Sequence, residues 1–525
     1  MRTLIVKANT YRDSVSLMLL AEQVRSLPGV VDVALLMGTP ANYNRLVTAG
    51  YLSPHDNVPN ANDLCVGIEA ADQESLHTAL AAIEAYLHGV IRRQPSPGTR
   101  PGRSAPRSLD TALRLVPDAN LVAISVPGEY AVTETRRALE HGRHVFLFSD
   151  NVPIEAERQL KAFAVERGLL LMGPDCGTAH IAGRPLGFCN VVAPGPVGVV
   201  AASGTGAQEI MTLLGDEGIG ISHVIGTGGR DLQAEVGGLM TALALEALGQ
   251  DPATEVIVLV SKPPHLAVAA AVTARAERLP KPVVACFVGD HTQDQGVSRV
   301  VRASHLMHAA RAAAALVRNE TIPAPLDFET FAAAPPSTLA EIRQSLRPAQ
   351  RFVRGLYSGG TLADESAALL ARFLPEVQAG EGFGPVKPVG NWSQSAGNVL
   401  IDLGDDRFTR GRPHPMIDPR PRAERLLQEA RDPTVAALIL DVILGLNAHD
   451  NPASVLAPAV RAAHERAASE GRELAVLVHV CGTPRDPQRT SAQRERLEAA
   501  GCIVFPTNVE AALAAGWLAR ESQAG

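Results

Sequence analysis

Hydrophobic residues in this chain fall mostly in short unbroken runs, and most runs end in a glycine-rich or polar turn followed by apolar positions at helical spacing. The pattern is sharpest at Val197–Ala202, which predicts a buried parallel strand. It breaks at Ser203-Gly204-Thr205-Gly206, and Ala207–Leu214 then reads as a helix. Such a turn gathers free backbone N–H groups and the positive end of a helix dipole at the carboxyl end of a strand, a setting suited to phosphate. The same glycines also serve an ordinary sharp turn, and one turn of this kind is a weak signal. A second copy, Gly355-Leu356-Tyr357-Ser358-Gly359-Gly360-Thr361-Leu362-Ala363-Asp364-Glu365, predicts two related α/β domains.

Residues 1–91 alternate strand-like segments (Thr3–Val6, Val31–Leu36, Leu64–Gly67) with helical ones (Ser14–Ser26, Glu74–His88) and fit a small ferredoxin-like α/β domain. Asn9, Asp13, Ser14, Gly38, Thr39, Pro40 and Asn42 fall where strands hand over to helices, as caps and turns do. Residues 92–109 are rich in Pro, Gly and Arg and read as an exposed linker. Residues 110–192 form a βαβ series, with strands near Asn120–Val126, His144–Phe148 and Leu169–Met172, and predict a Rossmann-like, parallel, doubly wound sheet. Ligands in such sheets bind beyond the carboxyl ends of the strands, here the loops at Pro127–Tyr130, Ser149–Pro153 and Gly173–Thr178. Residues 193–318 continue as a flavodoxin-like domain, in which Gly228 and Gly229 form another glycine-rich turn with Arg230 beside it. Residues 319–350, rich in Ala and Pro, read as a linker, and 351–525 as a second flavodoxin-like domain.

The chain has 525 residues, enough for three or four domains. With 46% hydrophobic and 20% charged residues its composition is that of an ordinary soluble protein. A net charge of −7 gives no reason to expect nucleic acid or an anionic membrane as partner. No apolar run approaches the roughly 20 residues of a membrane span, and the amino terminus leads directly into a strand, so a cytoplasmic location is expected. The six cysteines are scattered without a Cys-x-x-Cys pair, which speaks against structural zinc and a disulfide framework. Cys176 lies in a ligand-side loop, but no histidine partner can be named for it and it reads as packing. Asp405-Asp406 is too common a pair to predict a metal.

From Ser108 to about Val317 the chain resembles the α subunit of succinyl-CoA synthetase, on Met172-Gly173-Pro174-Asp175-Cys176, Ser203-Gly204-Thr205, Gly226-Thr227-Gly228-Gly229-Arg230-Asp231 and Lys281-Pro282-Val283-Val284. From about Phe352 it resembles the carboxyl-terminal domain of that enzyme's β subunit, on Asp402-Leu403-Gly404, Leu438-Ile439-Leu440-Asp441 and Gly445-Leu446-Asn447-Ala448-His449-Asp450. Nearly the whole chain resembles the FdrA family, whose marks are Met37–Asn42 and Gly411-Arg412-Pro413-His414-Pro415-Met416-Ile417-Asp418-Pro419. The departures from the synthetase matter as much. The strand before Gly289-Asp290-His291 leads into no Gly-His-Ala-Gly loop, and His291, His305 and His308 lack that motif. Near Ser261-Lys262-Pro263 a cation stands where the resemblance expects a glutamate that orients a phosphohistidine. No segment resembles an ATP-grasp domain, and the glycine-rich opening of a CoA-binding domain is replaced.

The family resemblance implies a subunit of a carbamoyltransferase of the oxamate type, acting in allantoin breakdown on carbamoyl phosphate and a small amide or ureido acceptor. Companion subunits and an oligomer are implied with it. No cofactor is expected, CoA being the one the resemblance leaves open. Phosphate would lie on Ser203, Gly204, Thr205, Gly206, Gly228 and Gly229, with Ser358, Gly359, Gly360 and Thr361 from the second turn. Gly445, Asn447 and Ala448 would face the Ser203 turn from the start of a helix. Arg230 or Arg412 would neutralise the anion, and His414 would serve as proton acceptor or oxyanion donor, or else shape a loop between Pro413 and Pro415. Asp405, Asp406 and Asp418 would orient His414 or cap helices. The alternatives are an ADP-forming acyl-CoA ligase and a non-catalytic subunit that binds CoA or an anion.

Overall fold

The computed structural model describes the chain apart from residues 13, 40–41, 44–45, 48, 54–58, 61, 92–105, 107, 290–298, 410–412 and 521–525. It divides into two compact units, one of Met1–Ala119 with Asp406–Asp418, the other of Asn120–Asp405 with Pro419–Gly525. Among the described residues no helix is long and apolar enough to cross a membrane.

In the first unit β1 (Arg2–Lys7), β2 (Val30–Met37) and β3 (Leu64–Ala70) form an antiparallel sheet in the order β1-β3-β2. Alternate residues of the central strand, Leu64, Val66 and Ile68, pack with Leu17, Leu20 and Val24 of the Ser14–Arg25 helix and Ala79 and Ile83 of the Gln73–Ile91 helix. On the opposite face Gly67 has no side chain because the Tyr51 ring occupies that space, within 3.0 Å of where a Cβ would stand. This is the small α/β sandwich the strand–helix alternation predicts. The returning segment Asp406–Asp418 is fastened to it: Arg25 reaches Asp418 at 3.2 Å and Asp32 at 3.3 Å.

The second unit holds three sheets. The first is parallel, β4 (Leu121–Ile124), β5 (His144–Leu147) and β6 (Leu171–Met172). The second contains β7 (Thr178–Ile181), β8 (Arg184–Gly187), β9 (Pro194–Ala202), β10 (Ile221–Gly226), β11 (Val256–Ser261), β12 (Val283–Phe287) and β13 (Val300–Arg302) in the order β13-β12-β11-β9-β10-β7-β8. The third contains β14 (Phe352–Tyr357), β15 (Val377–Ala379), β16 (Asn398–Asp402), β17 (Val435–Ile443), β18 (Ala475–Cys481) and β19 (Ile503–Phe505) in the order β15-β16-β14-β17-β18-β19. The predicted α/β class with two flavodoxin-like domains is what the structure has.

Two segments differ from the sequence reading. The β7–β8 hairpin, placed by that reading in the Rossmann-like stretch, joins the next sheet through an antiparallel bridge between His180 and Val224. The segment 319–350 is not wholly a linker. It forms helices at Phe328–Ala333 and Ser337–Ser345, the first capped by Asp327 and each burying one residue, Phe331 and Leu339.

In both large sheets the strand order reverses at the strand that carries a glycine turn. β9 lies between β10 and β11, and β14 between β16 and β17. Crevices at such reversals, at the carboxyl ends of the strands, are where open α/β sheets bind ligands.

Candidate functional site

β9 is apolar throughout its second half because it is central, with strands on both sides, and Val199, Val200 and Ala202 are fully buried. It ends at Ser203, whose Oγ accepts from Gly206 N at 2.8 Å and caps the Gly204–Asp216 helix. β14 likewise runs into a Ser-Gly turn, Ser358-Gly359, but there the cap of the Gly360–Leu370 helix is Gly359 and no side chain caps it. The two turns meet face to face. Ser203 Oγ and Thr361 Oγ1 are 2.5 Å apart, and a Cβ on Gly359 would stand 3.0 Å from the Thr205 side chain.

The second turn already holds an anion. Asp441, fully buried on β17, accepts from Ser358 N and Gly359 N, each at 2.8 Å, and from Ser358 Oγ at 3.0 Å. Arg422 pairs with Asp441 at 2.9 Å. Ser358 and Gly359, candidate phosphate ligands in the sequence, thus give their N–H groups to a carboxylate of the chain itself.

Gly445, Asn447 and Ala448 do not stand at a helix start, as the sequence reading has it. That helix begins only at Pro452, with Asn451 as its cap. Gly445 N donates to Gln488 at 3.1 Å, Asn447 donates to Gly187 O at 2.7 Å, and Ala448 is buried. These residues join the β17 loop to the segment before β9. A Cβ on Gly445 would stand 2.8 Å from Cys189 O.

What remains open is a cleft at the carboxyl ends of β9 and β10, lined by Asp175, Cys176, Gly177, Thr178, Ser203, Gly204, Gly226, Gly228 and Gly229. A Cβ on Gly229 would meet nothing within 4 Å, and one on Gly204 would meet only Thr178 Oγ1 at 3.5 Å and Gly177 Cα at 3.9 Å. Space for a ligand against bare backbone therefore exists at both. Gly228 is constrained instead: its φ is +87° and a Cβ would stand 2.5 Å from Pro174 O.

The glycine loop is anchored from behind. The fully buried ammonium of Lys161 donates to Thr227 O, Glu157 and Asp231, each at 2.8 Å. Arg230, a candidate for neutralising phosphate, has its guanidinium engaged by Glu157 at 2.7 Å and Val152 O at 2.8 Å. Cys176 Sγ lies 3.4 Å from Thr178 O, and burial pushes the thiol up to about 12, so it stays protonated and acts as packing.

At the β9/β11 reversal stands Lys262, directly after β11. Its ammonium and Asp402 Oδ2 converge over Gly360, each within 3 Å of where a Cβ would be. A cation is at the wrong pole over the amino end of a helix. Burial also works against the charge on Lys262, but Asp364, Asp402, Asp175 and Asp405 outweigh it and hold its pKa above the ordinary value. Burial pushes Asp402 up to about 6 against the pull of Lys262 and of Gly404 N, which donates to Oδ1 at 2.8 Å. Asp364 is raised by burial as well, opposed by Lys262. Sequence reasoning singled out Lys262 but used Asp402 only as a landmark and Asp364 only as part of the second turn. The one available signal was an acid at the last position of an otherwise apolar strand.

His414 and Asp418 belong to the other unit. There the His414 carbonyl accepts from Ile417 N at 2.8 Å and Asp418 N at 3.0 Å, its ring from Met416 N at 3.2 Å, and Asp418 holds Arg25. Asp405 ends one unit and Asp406 resumes the other. Arg412 and His291 lie outside the described residues. His305 caps the Leu306–Arg318 helix through His308 N. Among the described residues no group of His, Cys, Asp and Glu is placed to hold a metal ion.

Known proteins match this chain in pieces and along its whole length. Residues 1–101 match the family model described as AllF, heavy metal-associated domain, 194–334 the succinyl-CoA ligase like flavodoxin domain, and 356–518 the CoA-ligase model. YahF of Escherichia coli K12 is 39% identical over 523 residues, 99% of this chain and 98% of its own. The α subunit of ADP-forming succinate–CoA ligase from Methanothermobacter thermautotrophicus is 27% identical over 148 residues, covering 28% of this chain and 49% of that subunit. Among solved structures, the apo dinucleotide-forming acetyl-coenzyme A synthetase 1 of Ca. Korarchaeum cryptofilum aligns at 17% identity and a TM-score of 0.33, over 81% of this chain and 87% of that one.

Proposed function

Because the chain belongs to the FdrA-like, succinyl-CoA synthetase-like family that includes YahF, we propose that it is the catalytic subunit of a group transfer from an acyl phosphate. The donor is carbamoyl phosphate, the acceptor a small amide or ureido compound of the oxamate type, and companion subunits complete the enzyme. The phosphate rests in the cleft between Gly204, Gly228 and Gly229, at the amino end of the Gly204–Asp216 helix.

The observation that carries this reading is Lys262. A phosphohistidine relay needs an anion to orient the imidazolium, and this position holds a cation surrounded by carboxylates instead. An activated acyl phosphate arrives with its energy already stored and needs neither that relay nor a nucleotide. The amino-terminal match to the domain described for AllF supports the family membership from which this reading starts.

A second reading, an ADP-forming acyl-CoA ligase subunit, is favoured by the matches over 194–334 and 356–518 and by the archaeal ligase α subunit. One assay separates them. The chain, co-expressed with the products of its neighbouring genes, is supplied either with carbamoyl phosphate and oxamate or with ATP, CoA and succinate. Acceptor-dependent phosphate release in the first mixture supports the transferase. Turnover only in the second returns the chain to the ligases.

A further inference from the structure

The pair of charged ends packed over Gly360 has a defined chemistry. Gly360 has no side chain because Asp402 Oδ2 and Lys262 Nζ fill that space, 2.4 and 2.5 Å from where a Cβ would stand, so the two charged ends lie side by side against the helix start. Among the described residues no hydrogen bond or ion pair is made by Nζ or by Oδ2, whereas Oδ1 is held by Gly404 N. Lys262 and Asp402 are both half-buried. A ligand that reaches both groups meets N–H donors on one and an acceptor oxygen on the other. A primary amide satisfies both, its carbonyl oxygen toward the ammonium and its N–H toward the carboxylate. A carboxylate or phosphate satisfies only the lysine and is repelled by Asp402, and an amine satisfies only the aspartate.

We propose that Lys262 and Asp402 clasp the amide of the acceptor and that Asp402 is the base for its nitrogen. This rests on the transferase reading. The nitrogen attacks the carbamoyl carbon, a C–N bond forms, and the C–O bond to phosphate breaks with its electron pair leaving on phosphate. The proton from nitrogen passes to Asp402 Oδ2, and the Lys262 ammonium keeps the acceptor carbonyl polarised. The charges facing Asp402 are Lys262 after β11, Asp364 on the Gly360–Leu370 helix, Asp441 on β17 and Arg422 on the Arg420–Glu429 helix. Asp441 is itself paired with Arg422. With burial pushing Asp402 up to about 6, the group is a stronger base than a free carboxylate and is still ionised at neutral pH.

The test uses the full chain with its companion subunits. The rate of phosphate release at saturating oxamate should fall below pH about 6. Asp402→Asn should lower kcat by about a hundredfold or more and remove that acid limb. In parallel, calorimetric titration with oxamate and with oxalate, a dicarboxylate of the same size, reads the clasp without turnover. The wild-type chain should prefer oxamate. Lys262→Met and Asp402→Asn should each lose that preference while melting at the wild-type temperature, and Lys262→Arg should keep part of it. An acid limb that survives in Asp402→Asn, or equal affinity for the two probes in the wild type, overturns the proposal. Amide preference that depends on both residues, without any turnover of carbamoyl phosphate, sinks the transferase reading and leaves the clasp standing.

Discussion

The turns after β9 and β14 share a sequence grammar, an apolar strand followed by Ser-Gly and a helix, yet they spend their backbone donors differently. At the second turn Asp441 takes Ser358 N and Gly359 N and is neutralised by Arg422, so the amino end of the helix is filled from within. At the first, only the Ser203 hydroxyl serves as cap, and Gly204 is bare toward a cleft. A helix start is an anion site only where the fold has not already supplied the anion. Of two turns that look alike, one is structural and the other can be functional.

The sharpest way to break that contrast is Asp441→Ala. It strands a buried guanidinium and two backbone donors, and should cost about 3–5 kcal/mol in chemical denaturation. A cost below about 1 kcal/mol would mean that the second turn is not sealed by this carboxylate. Lys161→Met should cost about 3 kcal/mol, since Asp231 would be left buried without its cation and Glu157 would keep only Arg230. It should also weaken sulfate binding at the first turn, because Thr227 O loses its anchor.

Acidity offers a third probe, inside the helix of the sealed turn. Burial pushes Glu365 up to about 7, so its charge costs the fold nothing below about 4.5 and its full penalty above about 7. Stability should therefore fall as pH rises through that window, and Glu365→Gln should flatten this part of the profile. Titration of His305, held by burial down to about 3, works in the opposite direction, with stability lost as pH falls below about 6.5. The difference between wild type and Glu365→Gln isolates the glutamate.

The smallest changes belong to the open turn. Ser203→Ala removes one cap and should cost about 1 kcal/mol. Gly204→Ala should move stability by less than about 0.5 kcal/mol, because a Cβ has room there, yet fill the cradle and abolish sulfate binding measured by titration. Sulfate affinity unchanged in Gly204→Ala would place the anion elsewhere.

Much of this was legible in the sequence. The unbroken run Val197–Ala202 and its Ser-Gly break mark a central strand and a helix start, because burial on both faces removes polar alternation. The role of Asp441 was not legible. It closes a turn 83 residues earlier in the chain, and nothing local distinguishes it from any polar residue near the end of a strand. The same limit hid the meeting of Lys262 and Asp402 over Gly360, since they follow from the ends of strands in two different sheets. The β7–β8 hairpin and the strands β13 and β15 are too short to leave a periodic signal. In the Ala- and Pro-rich stretch, Pro336 simply starts a helix at the position where its fixed φ is tolerated.

The two flavodoxin-like domains meet along polar contacts: the Ser203–Thr361 hydroxyl pair and, deeper, the buried ion pair between Glu209 and His479 at 2.8 Å. Two separate chains would have to find each other and hold such a seam against the translational entropy of coming apart. Here a covalent tether makes the encounter intramolecular, so the local concentration of one half around the other does not fall with dilution. Buried polar pairs can then sit at the seam, because keeping the halves together does not rest on them alone.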